Sequence, residues 1–117
     1  MKFVQWDIKE RQNKQWYSKK IFLDGNDLNS PWSLVQKIKI QPHETAESHY
    51  HKIQTEIFYF LNDNGYRIVN GEEIHPKKWD VLVIEPDDKH TVINTTDQDY
   101  LYLAFKISYV SDDLHWD

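Results

Sequence analysis

The sequence predicts an all-β fold, a sandwich or a closed barrel, and three observations carry the prediction. Short runs of β-branched and aromatic residues recur, several with an apolar side chain at every second position, the period of a strand. Asn, Asp, Gly and Pro punctuate these runs at short intervals, as turns between strands do. Helical patterning is thin: residues 7–15 are polar and lack an apolar stripe, and residues 111–114 suffice for a single turn. Closing a sheet of many short strands protects its edges and leaves a mouth for a ligand.

The elements follow in order. In residues 34–40 the even positions are mostly apolar, with Lys37 and Lys39 between them, which predicts a half-buried strand. Residues 55–61 are β-branched and aromatic on both faces, which predicts a central strand covered on both sides. The turn Asn62-Asp63-Asn64-Gly65 leads into residues 66–69, and Asn70-Gly71 then joins these to residues 72–74. Asn-Gly between two such runs is the strongest short hairpin signal. Residues 81–84, Val-Leu-Val-Ile, read as a buried strand, residues 86–89 as a loop, and residues 90–94 as extended chain again. Residues 95–99 form a turn before a long final strand over 100–109.

A chain of 117 residues is expected to form one domain, residues 1–117, with a core that needs no staples. It has no cysteine, so no disulfide, thiolate metal site or cysteine nucleophile is available. The cysteine-free composition suits a reducing compartment, and the N-terminus lacks the apolar region of a secretory signal, so a cytoplasmic location is expected. No apolar run approaches the roughly 18 residues of a membrane span. With a formal charge of −5, the chain is expected to bind neither nucleic acid nor membrane, and Lys19-Lys20 and Lys77-Lys78 read as solvated surface. Five Trp, seven Tyr and five Phe suit a packed β core with an aromatic-lined pocket.

The chemistry concentrates in four residues. In an extended chain His49 and His51 point the same way, about 6.6 Å apart. A short turn can bring Glu56 back beside them, and His90, 34 residues later, can supply a fourth group. Three imidazoles and a carboxylate make a pocket for one divalent transition metal ion, Fe, Mn, Ni, Zn or Cu. On a six-coordinate ion these four would leave two adjacent positions for water, oxygen or a bidentate substrate. A closed tetrahedral structural site is the rival, although such sites usually use cysteine.

These residues carry a resemblance to the cupin superfamily. Its first motif runs Gly, five residues, His-x-His, three or four residues, Glu, six residues, Gly. Here His43 stands at the first glycine, His49, His51 and Glu56 at the ligand positions, and Asp63 at the closing glycine. The second motif runs Gly, five residues, Pro-x-Gly, two residues, His, three residues, Asn. Here Trp79 stands at the first glycine, Glu85 and Asp87 replace the Pro and Gly, and His90 and Asn94 match. The two motifs span about residues 43–94. The resemblance implies a double-stranded β-helix, or jelly-roll barrel, with His49, His51, Glu56 and His90 as metal ligands. It also implies a homodimer and an activity among those of the family: dioxygenases, isomerases and epimerases, decarboxylases and lyases.

Glu56, Phe58 and Phe60 share one face of their strand, so if Glu56 points into the barrel the two phenylalanines form an apolar wall there. Ile57, Tyr59 and Leu61 then face outward and call for a cover, which a second subunit would supply. Gln36, Phe58, Phe60 and Tyr102 are the candidate pocket-lining residues. For Gln36, cavity and barrel mouth stand equal. For Tyr102 outward packing is the simpler reading, because Lys106 continues its face. His43, His75 and His115 read as surface, and Asn94 as a structural hydrogen bonder. Sugar-phosphate substrates call for Arg or Lys in the cavity; the chain has only Arg11 and Arg67 as arginines, and Lys37 and Lys39 face away, which argues against sugar-phosphate isomerisation. The functional expectation is therefore a mononuclear metal-dependent enzyme acting on a small molecule, dioxygenase-like before isomerase or lyase. A non-catalytic binding module and a structural barrel are the alternatives.

Overall fold

The strand alternation written in the sequence becomes a two-sheet barrel in the computed structural model, which describes residues 1–5, 11–14 and 16–117. Of the polar stretch 7–15, residues 7–10 and 15 lie outside the described residues. In chain order the strands are β1 (Gln12–Asn13), β2 (Tyr17–Asp24), β3 (Leu34–Ile40), β4 (His49–Tyr50), β5 (Thr55–Phe60) and β6 (Tyr66–Val69), followed by β7 (Glu72–Ile74), β8 (Val81–Ile84), β9 (His90–Ile93), β10 (Tyr100–Ile107) and β11 (His115–Trp116). The larger sheet has the order β1-β2-β3-β10-β5-β8 and the smaller β11-β4-β9-β6-β7. Every pairing is antiparallel. The sequence reading has no counterpart for β2, whose apolar residues are interrupted by Lys19 and Lys20. No helix among the described residues is long and apolar enough to cross a membrane.

The core lies between the sheets. Ile38 and Ile40 of β3, Phe58 and Phe60 of β5, and Tyr100, Tyr102 and Ala104 of β10 pack against Val92 of β9 and Ala46. The β10 register sets this face, placing Ala104 opposite both Gln36 and Phe58, and Tyr102 opposite both Ile38 and Phe60. Tyr102 is therefore inside, 4% exposed, which corrects the outward reading of that residue. Its strand crosses the middle of the sheet with buried residues at every second position up to Ala104, and Lys106 extends the same row toward the mouth.

Two strand readings also change. Residues 81–84 form an edge strand, so Val81 and Val83 turn 59% and 47% of their surface to solvent and Ile84 alone is buried. On β5 the inward residues are buried and the outward ones only half-buried, so a single chain covers this strand on one face.

The turns follow their residue types. Asn70 and Gly71 both have positive φ, 50° and 83°, the requirement of the tight hairpin that joins Val69 to Glu72. A Cβ at Gly65 would collide with the ring of Tyr100, so a side chain there would push that ring out of the core. Asn94 is a structural bonder: its amide donates to the carbonyls of Ile40, Gln41 and Gln98 at 3.1, 3.1 and 2.8 Å.

Candidate metal centre

The short strand β4 lies between β11 and β9, and its register lines up Trp116, His49, His90 and Val69 in one cross-strand row. Directly opposed side chains on antiparallel strands have Cβ atoms about 5 Å apart. The His49 and His90 rings accordingly lie with centroids 4.3 Å apart. His51, just past the end of β4, stands 5.5 Å from His49 and 5.4 Å from His90. One ring nitrogen from each of the three converges, all within 4.8 Å of one another.

The outer nitrogens of these rings are spoken for. His49 Nδ1 contacts the carbonyl of Glu47 at 2.9 Å, His51 Nδ1 that of Asp113 at 2.7 Å, and His90 Nδ1 that of Asp88 at 2.8 Å. A carbonyl only accepts, so each Nδ1 donates, and each neutral ring keeps its lone pair on Nε2. Such a carbonyl partner orients a ligating imidazole and fixes its tautomer.

Asp113 holds the most extensive of these supports. While its carbonyl accepts from His51, its carboxylate accepts the backbone N–H groups of Lys52, Ile53 and Gln54 at 2.9, 2.8 and 2.9 Å. Burial pushes the Asp113 carboxyl up, but those three donors outweigh it and hold it below its ordinary value. The loop after His51 is thus tied to the segment leading into β11.

Glu56 is the fourth predicted ligand, and its carboxylate is outside the trio of converging nitrogens. It is held against one of them: Oε1 lies 2.8 Å from His51 Nε2 and accepts from the Gln54 amide at 2.9 Å. With Nδ1 donating, a neutral His51 presents a lone pair to a carboxylate oxygen, and its buried Nε2 is then without a partner. A proton or a metal cation between the two atoms relieves that conflict. Burial pushes His51 down, and Glu56 beside it pushes it up by more, so the net shift is upward. For Glu56 burial acts upward, and His51 and Lys106 overcome it, bringing the carboxyl down to about 2. His49 and His90 are both lowered, chiefly by burial, His90 to about 4. Two neutral imidazoles and an imidazole–carboxylate pair, with lone pairs aimed at one point, fit a divalent transition metal ion.

The site opens into a cavity of about 280 Å³ between the sheets. Gln36, Phe58 and Tyr102 line it together with the four predicted ligands. Phe60 is fully buried in the core and forms no part of the wall, because it lies one inward position further along β5. Burial pushes the Tyr102 phenol up to about 12, so it stays a neutral hydrogen-bonding group. His43 and His75 are exposed and pair with Asp97 and Glu73, whereas His115 is half-buried against Tyr50.

The expectation that cations are scarce in the cavity is overturned. Arg67 of β6 and Lys106 of β10 both line it. In the sequence Arg67 stands between Tyr66 and Ile68, and nothing local tells which face turns inward. The β6–β9 register decides it: Val69 opposes His90, so Arg67, two residues away on the same face, opposes Val92 inside the barrel. Gln54, Asp113 and Trp116 are further wall residues absent from the sequence reading.

Comparison with known proteins agrees with this fold. The sequence model of the cupin domain matches residues 36–106. The oxalate-binding protein of Thermotoga maritima is 30% identical over 82 residues, covering 70% of this chain and 68% of that protein. Among solved structures, a predicted oxalate decarboxylase from Thermotoga maritima superposes with a TM-score of 0.79 at 24% identity, covering 91% of this chain and 98% of that one. KdgF from Halomonas sp. gives 0.81 at 16% identity, over 96% and 97%. The polyketide cyclase RemF from Streptomyces resistomycificus gives 0.83 at 14% identity, over 99% and 84%. The structural likenesses bear on the fold, which they identify as the double-stranded β-helix or jelly-roll barrel.

Proposed function

This chain belongs to the cupin domain family, and on that premise we propose that it is a mononuclear metal-dependent enzyme acting on a small molecule held in the barrel. The observation that carries the reading is the convergence of His49, His51 and His90, each with Nδ1 committed to a backbone carbonyl. His49, His51, His90 and Glu56 are the residues that would hold Fe, Mn, Ni, Zn or Cu. When bound, such an ion supplies Lewis-acid chemistry and, for iron or copper, redox chemistry. The chain supplies the rest. Phe58, Ile38 and Val92 keep part of the cavity dry, Gln36 and Tyr102 offer polar contacts, and Glu56 is the carboxylate placed to hold a proton at His51 Nε2.

Within that class we favour dioxygenase-like chemistry over isomerase or lyase chemistry, on the aromatic wall and the three-histidine, one-carboxylate donor set. The preference is narrowed by Arg67 and Lys106, which remove the argument against anionic substrates. A second reading, a non-catalytic cupin that binds metal and ligand, draws support from the relative in Thermotoga maritima, which is an oxalate-binding protein. The experiment that separates the two loads the protein with each metal in turn and follows a panel of small acids and sugars by NMR and oxygen uptake. Turnover that vanishes in His51→Ala supports the enzyme. Saturable binding without turnover under every metal supports the module.

We further propose a homodimer, in the cytoplasm, formed through the outer face of the large sheet. Val81, Val83 and Ile107 are about half exposed there, beside half-buried Ile57, Tyr59, Leu101, Leu103 and Phe105. Sedimentation equilibrium giving the 14.2 kDa monomer mass at micromolar concentration would contradict it.

A further inference from the structure

The hairpin that joins β6 to β7 is tied to the segment leading into His90. Val69 opposes His90 in the β6–β9 register, and the ladder runs one residue further, where Asn70 N–H donates to the Lys89 carbonyl at 2.7 Å. The Asn70 side chain adds two bonds. Its Oδ1 accepts the Lys89 N–H at 2.9 Å, and its Nδ2 donates to Asp88 Oδ1 at 2.9 Å. The second Asp88 carboxylate oxygen accepts the Glu85 N–H at 2.9 Å. The Asp88 carbonyl, in turn, is the acceptor that holds His90 Nδ1 at 2.8 Å. One exposed side chain thus steadies the residue that orients a buried imidazole.

That side chain belongs to the pair Asn70-Gly71, both residues exposed, with φ 50° and 83°. Asparagine is chemically labile, most of all before glycine, whose nitrogen no side chain shields. Here the space is open as well, since a Cβ on Gly71 would meet nothing within 4 Å. In deamidation the Gly71 nitrogen attacks the Asn70 side-chain amide carbon. The new C–N bond closes a cyclic imide, the Cγ–Nδ2 bond breaks, and ammonia leaves with the former Gly71 N–H proton. Water then opens the imide at either carbonyl and leaves aspartate or isoaspartate, so the chain and water are the only reactants. The bonds from Asn70 to the loop must part before the attack, so the reaction draws on local opening.

We propose that Asn70 positions His90 through Asp88, and that deamidation at Asn70-Gly71 undoes this positioning. The proposal adds a modification to the site read above, and it rests on that reading only for what His90 binds. Aspartate tolerates a left-handed backbone as asparagine does, so the turn itself survives the change. The contact with the Lys89 N–H survives too, because a carboxylate oxygen still accepts. The contact with Asp88 does not. An acceptor replaces the donating amide, and two carboxylates at hydrogen-bond distance repel. Isoaspartate also adds a carbon to the backbone and displaces the end of the ladder. Either product releases Asp88, and with it the carbonyl that keeps the His90 proton on Nδ1. The second Asn-Gly pair, Asn64-Gly65, is half-buried, with the Asn64 amide donating to the Asp99 carbonyl at 3.2 Å, so it is expected to react more slowly.

The test uses the full-length chain. Long-range proton–nitrogen NMR of the metal-free protein at neutral pH reads the His90 tautomer, and competition with a chelator of known strength reads zinc affinity. Asn70→Asp is one deamidation product made directly. It is expected to lose the single Nδ1–H tautomer of His90 and to bind zinc about 10- to 100-fold more weakly than the wild type. Adding Asp88→Asn puts one amide and one carboxylate back across the contact, and the double variant is expected to recover both readouts. A merely structural role for Asn70 would not give that rescue, and the double variant decides the matter should Asn70→Asp fail to fold. Wild type aged at mildly alkaline pH and mapped by peptide mass spectrometry is expected to convert at Asn70 ahead of Asn64, and the converted fraction to match Asn70→Asp in zinc affinity. An unchanged tautomer and zinc affinity in Asn70→Asp, no rescue in the double variant, or no conversion at Asn70 would overturn the proposal. A wild type that takes up no zinc would instead overturn the metal reading, because the tautomer in the metal-free protein reports on Asn70 separately.

Discussion

His49 and His90 oppose each other across the β4–β9 pair, with ring centroids 4.3 Å apart and each Nδ1 bound to a carbonyl of its own segment. Strand register thus brings together two groups 41 residues apart in the chain, and their carbonyl contacts turn both lone pairs toward His51. The strand register and the carbonyl contacts fix the rings, so a metal ion would meet donors already oriented.

Asp113 is predicted to govern that orientation from outside the donor set. Asp113→Ala removes the acceptor for three backbone N–H groups of the loop after His51. Supports of this kind are worth about 10- to 100-fold in metal affinity, and a drop in that range is expected by competition with a chelator of known strength. Asp113→Asn keeps one amide oxygen and is expected to fall between the two. Unchanged affinity in Asp113→Ala would mean that the loop holds His51 without it.

Metal uptake is predicted to release fewer protons per ion near pH 6 than three unshifted histidines would. His90, held at about 4, is neutral there, and His49 is held below the ordinary histidine value. His51 is raised by Glu56, so it keeps its proton until the pH passes that raised value, and the metal displaces it. Affinity should therefore climb as pH rises through the His51 pKa and flatten above it. Three unshifted histidines would release roughly two protons at pH 6. Calorimetry in buffers of different ionisation enthalpy separates the two cases.

Glu56→Gln is predicted to weaken metal binding without unfolding the barrel. The amide preserves the shape and a contact for Gln54, but removes the charge that balances a dication and that holds the His51 proton. Proton release on binding near pH 6 should fall in this variant, because Glu56 is what raises His51. Metal affinity equal to the wild type would exclude Glu56 from the centre.

His43→Gly is predicted to raise stability by about 1 kcal/mol, the approximate penalty of a left-handed backbone for a residue with a Cβ. His43 has φ 62°, and its side chain, 62% exposed, pairs only with the exposed Asp97, a contact of little worth. Denaturant titration measures the difference, and a loss of similar size would contradict the assignment of strain.

The legible part of this protein is the part written locally. His49 and His51 are two residues apart on extended chain, and Asn70-Gly71 contains its own turn. Of the four positions where the resembling motifs have glycine, His43, Trp79 and Asp87 keep positive φ, at 62°, 76° and 71°, and Asp63 does not. At those three positions the left-handed backbone occurs without the residue that eases it. What could not be read depends on pairing between distant strands. Arg67 turns inward because β6 meets β9 in one register, Tyr102 because β10 lies between β3 and β5, and Val81 and Val83 turn outward because β8 ends the sheet. A single-residue slip in any of these pairings would invert the assignment.

The central claim is tested most directly by metal content per chain, measured by mass spectrometry on untagged protein prepared without chelator, for the wild type and for His49→Ala, His51→Ala and His90→Ala. The account predicts close to one equivalent of a divalent transition metal in the wild type, as isolated or after reconstitution, and far less in each variant with the β fold intact by circular dichroism. No metal in the reconstituted wild type, or a full equivalent in all three variants, would contradict it.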